Sequence, residues 1–252
     1  DATDHRVRTL FPLPFTASRS DADTAFHVTE RPLVAEGGVH EAGMPTFPCR
    51  RWVDASADGA GLAIFHRGTP EYELTDGNAF AVTLLRSVAW LSRQGMKLRA
   101  GPAGPKLATP GAQCIGTHRF ELAVYPHAGD WRAGDVHGVA ESFSYPMRTC
   151  VARPHGGALP PAGATISIAP DHVQLSALRS EGDAVECRIY NASDEATTAR
   201  IALPPAFDGL DAAVVDLLGE RARPLAIHAR TIELPMRAWE IATLRLAPRE
   251  RA

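Results

Sequence analysis

The sequence predicts an all-β fold of antiparallel β-sandwiches, and three observations predict it. Apolar and polar residues alternate with a period of two through most candidate elements. Past residue 164 such segments recur at roughly 8–12-residue spacing, the rhythm of a sandwich. Only one stretch, Asp130–Phe143, carries a helical period.

Taken in order, His5–Leu13 alternates, with Val7, Thr9 and Phe11 on one face and Arg6, Arg8 and Leu10 on the other; Pro12 and Pro14 end it. Ser18–Asp23 reads as a polar turn, Ala25–Arg31 as a strand, and Val34–Gly43 as a Gly-rich loop. Pro45 and Pro48 precede Arg50–Asp54, which reads as an edge strand running into the turn DASADGAG. The stretch Leu62–Gly116 organises the first half: strands at Gly61–Arg67 and Tyr72–Leu74 flank the turn Gly68-Thr69-Pro70. Asp76-Gly77 is a hairpin dipeptide leading into Ala79–Val88, where Phe80, Val82, Leu84 and Val88 share a face. A loop of about twenty residues follows, punctuated by Gly and Pro, and such length in a compact domain points to function or disorder. A strand is expected again at Thr117–Tyr125, with Phe120, Leu122 and Val124 inward. In Asp130–Phe143, Val136, Val139, Ala140 and Phe143 fall on one helical face, while Gly134 and Gly138 limit its length.

Arg153–Gly163 (RPHGGALPPAG) cannot form the interior of a strand or helix. It divides an expected first domain, 1–155, from a second, 164–252, with 156–163 as linker. The second is expected to hold strands at Thr165–Ile168, Val173–Leu178, Val185–Tyr190, Thr198–Leu203, Ala212–Leu217, Thr231–Leu234 and Glu240–Leu246. Within it Val185, Cys187 and Ile189 are expected inward, and Glu186, Arg188 and Tyr190 outward.

At 252 residues the chain can bury a core in each of two β-domains. A net charge of −3 gives no electrostatic case for nucleic acid or an anionic membrane, and no apolar run approaches the roughly 18–20 residues that span a bilayer. The opening residues, DATDHRVRTLF, lack the apolar stretch of a signal peptide, and with no initiator Met the chain reads as a fragment or processed product. Cys49, Cys114, Cys150 and Cys187 form no CxxC or Cys/His pair, so free, mostly buried thiols and a cytoplasmic location are expected.

Catalytic signatures such as HExxH, GxSxG, a P-loop or GxGxxG are missing. The ten histidines are scattered and read as surface or packing residues. Glu71 and Glu73 flank Tyr72 and would share a strand face. Paired carboxylates can run glycoside hydrolysis, but a solvated pair beside a turn is the favoured reading. Asp54, Asp58, Asp76 and Asp130 read as turn residues. Trp52, Trp90, Trp131 and Tyr72 could stack on sugars, although most such aromatics are core residues.

The segments TFPCRRWVDAS, GLAIFHRGTPEYEL, AVTLLRSVAWLSR and AGPAGPKLATPGAQCIGTHRFELAVYPHAGDW resemble the C-terminal β-region of glycoside hydrolase family 38, the α-mannosidases. The bacterial branch that includes mannosylglycerate hydrolases is the most similar. DHRVRTLFP fits upstream, and the stretch from TISIAP through HVQLSALRSEGDAVECRIYNAS to WEIATLRL resembles the family's terminal β-domain. The resemblance implies a portion of a galactose-mutarotase-like supersandwich followed by a smaller C-terminal sandwich. It implies a parent enzyme that is a retaining glycosidase, with its nucleophile and a divalent metal, zinc, in an N-terminal catalytic domain this sequence does not match. No catalytic or metal-binding residue is therefore expected here, no cofactor in this region, and no activity from it alone. The partners implied are that catalytic domain and an α-mannoside; self-association is left open. The loop Arg93–Gln113 is expected at the active-site mouth, with Arg99 as its polar contact and Arg93 and Gln113 as further candidates. Glu71 and Tyr72 complete the substrate-proximal set. The alternatives are a stand-alone carbohydrate-binding module, marked by a strip of exposed aromatics, and a purely structural sandwich.

Overall fold

The computed structural model describes residues 4–154, 156, 163, 166–220 and 222–249. The chain divides into two compact units, Asp1–Pro146 and Met147–Ala252. Of the linker expected at 156–163, only Gly156 and Gly163 lie among the described residues. Strands take up 47% of the structure, against a single short α-helix among the described residues, so the all-β class holds. No helix among them is long and apolar enough to cross a membrane.

The first unit contains β1 (Arg6–Pro12), β2 (Arg19–Thr24), β3 (His27–Pro32), β4 (Phe47–Pro48), β5 (Trp52–Ala57), β6 (Ala60–Arg67), β7 (Glu71–Thr75), β8 (Ala79–Arg86), β9 (Glu121–Ala128) and α1 (Val136–Ser144). A four-stranded sheet runs β1-β8-β7-β4 and a five-stranded one β3-β2-β5-β6-β9, every pairing antiparallel. The core joins both: Ala22, Val53 and Ile64 from one sheet, Tyr72, Leu74, Phe80 and Val82 from the other. The opposite face of the five-stranded sheet is covered by α1 and the turn before it. There Trp52 meets Trp131 at 5.7 Å between ring centroids, and Phe65 meets Phe143 at 6.0 Å. The Asp135 side chain caps α1 by accepting from the Gly138 N–H, leaving Val136, His137 and Ala140 buried.

Several expectations are corrected. Ser18–Asp23 is not a turn but the start of β2, with Ser20, Asp21 and Asp23 buried. Its polar groups find distant partners, as in the 2.9 Å bond between the Ser20 and Tyr72 hydroxyls. β5 is a central strand rather than an edge, and it continues to Ala57; the turn is confined to Asp58-Gly59, both with positive φ. Asp54 is therefore no turn residue. It is fully buried and bonds to His127 Nε2 at 2.7 Å. A bulge at Val7/Arg8 breaks the alternation of β1 and leaves Val7 exposed. β9 begins at Glu121, not Thr117, and on this edge strand Val124 is exposed.

The His127 ring is wedged between two glycines. A Cβ on Gly61 would lie 2.1 Å from its Cε1, and one on Gly134 would lie 2.4 Å from its Nδ1. Because the bond to Asp54 fixes the ring, Gly61→Ala is expected to destabilise this unit by about 1–3 kcal/mol through overpacking. Urea unfolding checks this; a change below about 0.5 kcal/mol would mean the ring moves freely aside.

The second unit contains β10 (Ser167–Ala169), β11 (Val173–Glu181), β12 (Ala184–Asn191), β13 (Thr197–Ala202), β14 (Leu210–Val215), β15 (Arg223–Leu225), β16 (Thr231–Met236) and β17 (Ile241–Pro248). Its sheets run β10-β13-β16 and β11-β12-β17-β14-β15, again antiparallel. Cys187, Ile189, Ile201, Ile232, Leu234, Leu244 and Leu246 lie in one core. β15 has no counterpart among the expected strands. Glu186 and Tyr190 are buried rather than outward. Glu186 accepts bonds from both Arg179 and Arg245, which compensate its burial. All four cysteines are free, but only Cys49 and Cys187 are buried; Cys150 is exposed.

Candidate functional site

After β8 the chain runs from Ser87 to Phe120 before β9 opens on the edge of the five-stranded sheet, with one 3-10 turn at Pro110–Gln113. This long connection is bonded along its own length. The Leu91 N–H donates to the Leu107 carbonyl and the Thr109 N–H to the Ala89 carbonyl, both at 2.9 Å, so Trp90 and Ala108 pair as a short antiparallel bridge. At the base, Ser87 Oγ donates to the Gln113 carbonyl and Gln113 Nε2 donates to the Val88 carbonyl. Nearer the tip, the Ala103 N–H donates to Ser92 Oγ. The Gly-rich loop 34–43 joins from outside, with the Ala42 N–H on the Leu98 carbonyl at 2.8 Å. The expected loop is thus a built structure.

Its two arms enclose a pocket of about 630 Å³ lined by Trp90, Arg93, Gln94, Pro102, Gly104 and Lys106. That volume falls in the range of small-molecule sites. Trp90 is 39% exposed, and Lys106 Nζ lies 5.0 Å from its ring centroid. Arg93 Nη1 donates to Asp4 Oδ2 at 3.0 Å, while Asp4 Oδ1 accepts the Ala89 N–H. Two cations, a half-exposed indole and an amide therefore converge on one concavity.

Of the five residues expected near substrate, only Arg93 lines this pocket. Arg99 belongs to the same loop, but its Nε donates to the Gly101 carbonyl and its guanidinium faces Glu41 at 3.7 Å. Gln113 holds the loop base. Tyr72 lies in the core, fully buried, with its hydroxyl on Ser20. Glu71 and Glu73 share a face as expected, yet they are not a solvated pair. Glu71 accepts from Thr83, Arg6 and Arg86, and Glu73 pairs with Arg8. Burial would raise the Glu71 pKa, but the Thr83 bond and the charges of Arg86 and Arg6 outweigh it and hold the carboxyl below its usual range.

Trp52 and Trp131 are buried, leaving Trp90 alone of the three expected tryptophans accessible in the loop. Lys106 and Gln94 escaped the sequence reading because only the fold brings them beside Trp90. The zinc implied for the catalytic domain finds no donor set here, since no three His, Cys, Asp or Glu side chains among the described residues are arranged to hold a metal.

Residues 172–244 match the family of glycosyl hydrolases family 38, C-terminal β-sandwich domain. Over 141 residues the chain is 33% identical to a putative mannosylglycerate hydrolase of Halalkalibacterium halodurans, covering 55% of this chain and 14% of that protein. It shares its fold with an α-mannosidase from Enterococcus faecalis V583, at a TM-score of 0.73 and 24% identity, over 96% of this chain and 26% of that one. A further solved structure, of a protein in the glycosyl hydrolase family 38 from Enterococcus faecalis, superposes with a TM-score of 0.74, also at 24% identity and over the same shares. The chain thus spans a small part of each relative. Residues 172–244 thus match the C-terminal β-sandwich domain of glycosyl hydrolase family 38, and the rest of the chain is similar in sequence or fold to proteins of that family.

Proposed function

We propose that this chain is the non-catalytic β-scaffold of a longer α-mannosidase-like glycosidase and that its loop 88–113 lines the α-mannoside cleft. The observation that carries the reading is the loop itself: its arms are bonded into a fixed shape, they enclose a pocket, and Trp90, Leu91, Met96 and Leu107 are exposed along it. Exposed apolar groups gathered on one built loop suit a surface that another domain covers. In the parent, hydrolysis proceeds with retention through a covalent glycosyl-enzyme, and the divalent metal and nucleophile belong to the catalytic domain. The two domains of this region are joined by the linker 156–163. The 33% identity to a putative mannosylglycerate hydrolase supports an acidic mannoside as substrate. A stand-alone carbohydrate-binding module is less well supported, because Trp90 and Tyr145 are the only exposed aromatics among the described residues and form no strip.

Arg93 reaches the sugar from the pocket rim. Arg99 and Gln113 hold the loop's shape. In the full-length protein, Arg93→Ala is expected to lower kcat/KM for an aryl α-mannoside about tenfold. Arg99→Ala is expected to lower it less. If both variants stay within about twofold, under roughly 0.5 kcal/mol, the loop takes no part. The 252-residue chain alone is expected neither to hydrolyse the substrate nor to retain zinc; metal-dependent turnover by it would overturn the scaffold reading.

A further inference from the structure

We propose that Asp4 is a positioning residue for the loop 88–113: its carboxylate locks the point where the loop leaves β8 and at the same time aims the Arg93 guanidinium. This deepens the reading of the loop as a cleft wall, and rests on it only for the contact between Arg93 and the sugar.

The strand ladder delivers Asp4 to that place. β1 and β8 run antiparallel and pair as far as Arg6 with Arg86, and the Ser87 N–H extends the ladder by donating to the His5 carbonyl at 2.8 Å. Asp4 therefore lies where the loop departs. Its backbone is left-handed, with φ at 54°, a conformation that Asp tolerates better than most residues but that still costs free energy. With the chain turned this way, the two carboxylate oxygens serve two different groups. Oδ1 accepts the Ala89 N–H at 2.9 Å, and Oδ2 accepts from Arg93 Nη1 at 3.0 Å; the partners lie 85 and 89 residues further along the chain. No other carboxylate among the described residues pairs with Arg93.

A half-exposed ion pair is by itself a weak tie. The second bond strengthens it, because a carboxylate already held by the Ala89 amide gives up little further freedom in pairing. Arg93 also shares its pocket with Lys106, so without Asp4 the two cations would repel and the guanidinium would swing towards solvent. The pair uses one Arg93 nitrogen and leaves the other donors of the fork for hydroxyl oxygens. The two duties of Asp4 can be separated chemically. Asp4→Asn keeps an oxygen for the Ala89 N–H but turns an amide nitrogen, itself a donor, towards the guanidinium. Asp4→Glu keeps the charge.

The test uses the full-length protein. Asp4→Asn is expected to lower kcat/KM for an aryl α-mannoside about fivefold with an unchanged urea midpoint, and Asp4→Glu to keep more than about half of the activity. In an Arg93→Ala background, Asp4→Asn is expected to cost less than about twofold more, because its effect passes through Arg93. Modification of Arg93 by phenylglyoxal, followed by peptide mass spectrometry, reads the guanidinium without turnover. It is expected to run about threefold faster in Asp4→Asn, the size of a lost exposed pair. An unchanged modification rate would overturn the proposal. So would full multiplication of the two losses in the double variant, or a loss that follows a lowered urea midpoint and that Asp4→Glu does not restore. Asp4→Asn within about twofold of wild type while Arg93→Ala costs about tenfold would overturn this inference and leave the cleft-wall reading standing. Faster modification in Asp4→Asn, together with an Arg93→Ala variant of full activity, would overturn the cleft-wall reading alone and leave the hold of Asp4 on Arg93 in place.

Discussion

Arg51→Met is expected to destabilise the first unit by about 3–5 kcal/mol, the loss typical of a buried ion pair stripped of one partner. Arg51 is 6% exposed and lies just before β5. Its Nε donates to Asp23 Oδ2 at 2.7 Å and its Nη2 to Asp23 Oδ1 at 3.3 Å. On the other side it pairs with Glu141 and approaches His137 Nε2 at 3.2 Å, both on α1. One guanidinium therefore ties β2 of the five-stranded sheet to the helix that covers it. Burial already raises the Asp23 pKa, with the bond and charge of Arg51 opposing; without Arg51 the carboxyl would take up a proton or admit water. The double variant Arg51→Met/Asp23→Leu is expected to regain much of the loss, because replacing both charges removes the uncompensated one. Urea unfolding of the single and double variants checks the pair. A single-variant loss below about 1 kcal/mol would place Arg51 among weak surface contacts.

The same unit is expected to lose about 2–3 kcal/mol of stability between pH 6.5 and 5. His66 and His137 are buried, and burial lowers their pKa values from 6.5 to about 4 and about 3, with the charges of Arg51 and Arg50 adding to the effect on His137. The short approach of Arg51 Nη2 to His137 Nε2 has the same meaning, since that nitrogen accepts only when the ring is neutral. A depressed folded-state pKa gives stability that is complete above the unfolded value of 6.5 and lost as pH falls towards the folded values. Each histidine contributes about 1.4 kcal/mol per pH unit in that window.

Asp54 acts in the opposite sense. Burial raises its pKa from 3.8 to about 6 against the His127 bond, so between those values the fold holds a proton that the unfolded chain has released. It offsets one histidine below pH 6. Asp21 and Asp23 are also raised by burial and blunt the slope further at lower pH. Asp54→Asn is therefore expected to steepen the acid loss, and His66→Leu to roughly halve it above pH 6. Denaturation curves at pH 7, 6 and 5 measure this; a flat profile would mean that the two imidazoles are not buried neutral groups.

The sequence by itself determined the class, the antiparallel pairing and most strand positions, because these depend on neighbours along the chain. Phe80 and Val82, or Ile232, Leu234 and Met236, declare an inward face by alternation alone. Asp76-Gly77 declares its turn because Gly adopts positive φ at little cost and Asp tolerates it. The helix at Val136–Ser144 followed from its 3.6-residue period. The resemblance to glycosyl hydrolase family 38 was also legible, since its motifs are local strings, and so was the loop, whose Gly and Pro content sets it apart. What only the tertiary structure decided is the fate of polar residues. Asp23, Asp54 and Glu186 look like surface or turn groups, but each is buried against a cation or histidine brought from 28 to 73 residues away. The pocket has the same origin. Arg93 was visible as a cation on an unusual loop, but Lys106 meets Trp90 only because backbone bonds close the two arms upon each other. Alternation reports which way a side chain points. Whether a charge there is exposed, paired or held ready for a ligand depends on partners that only the closed chain supplies.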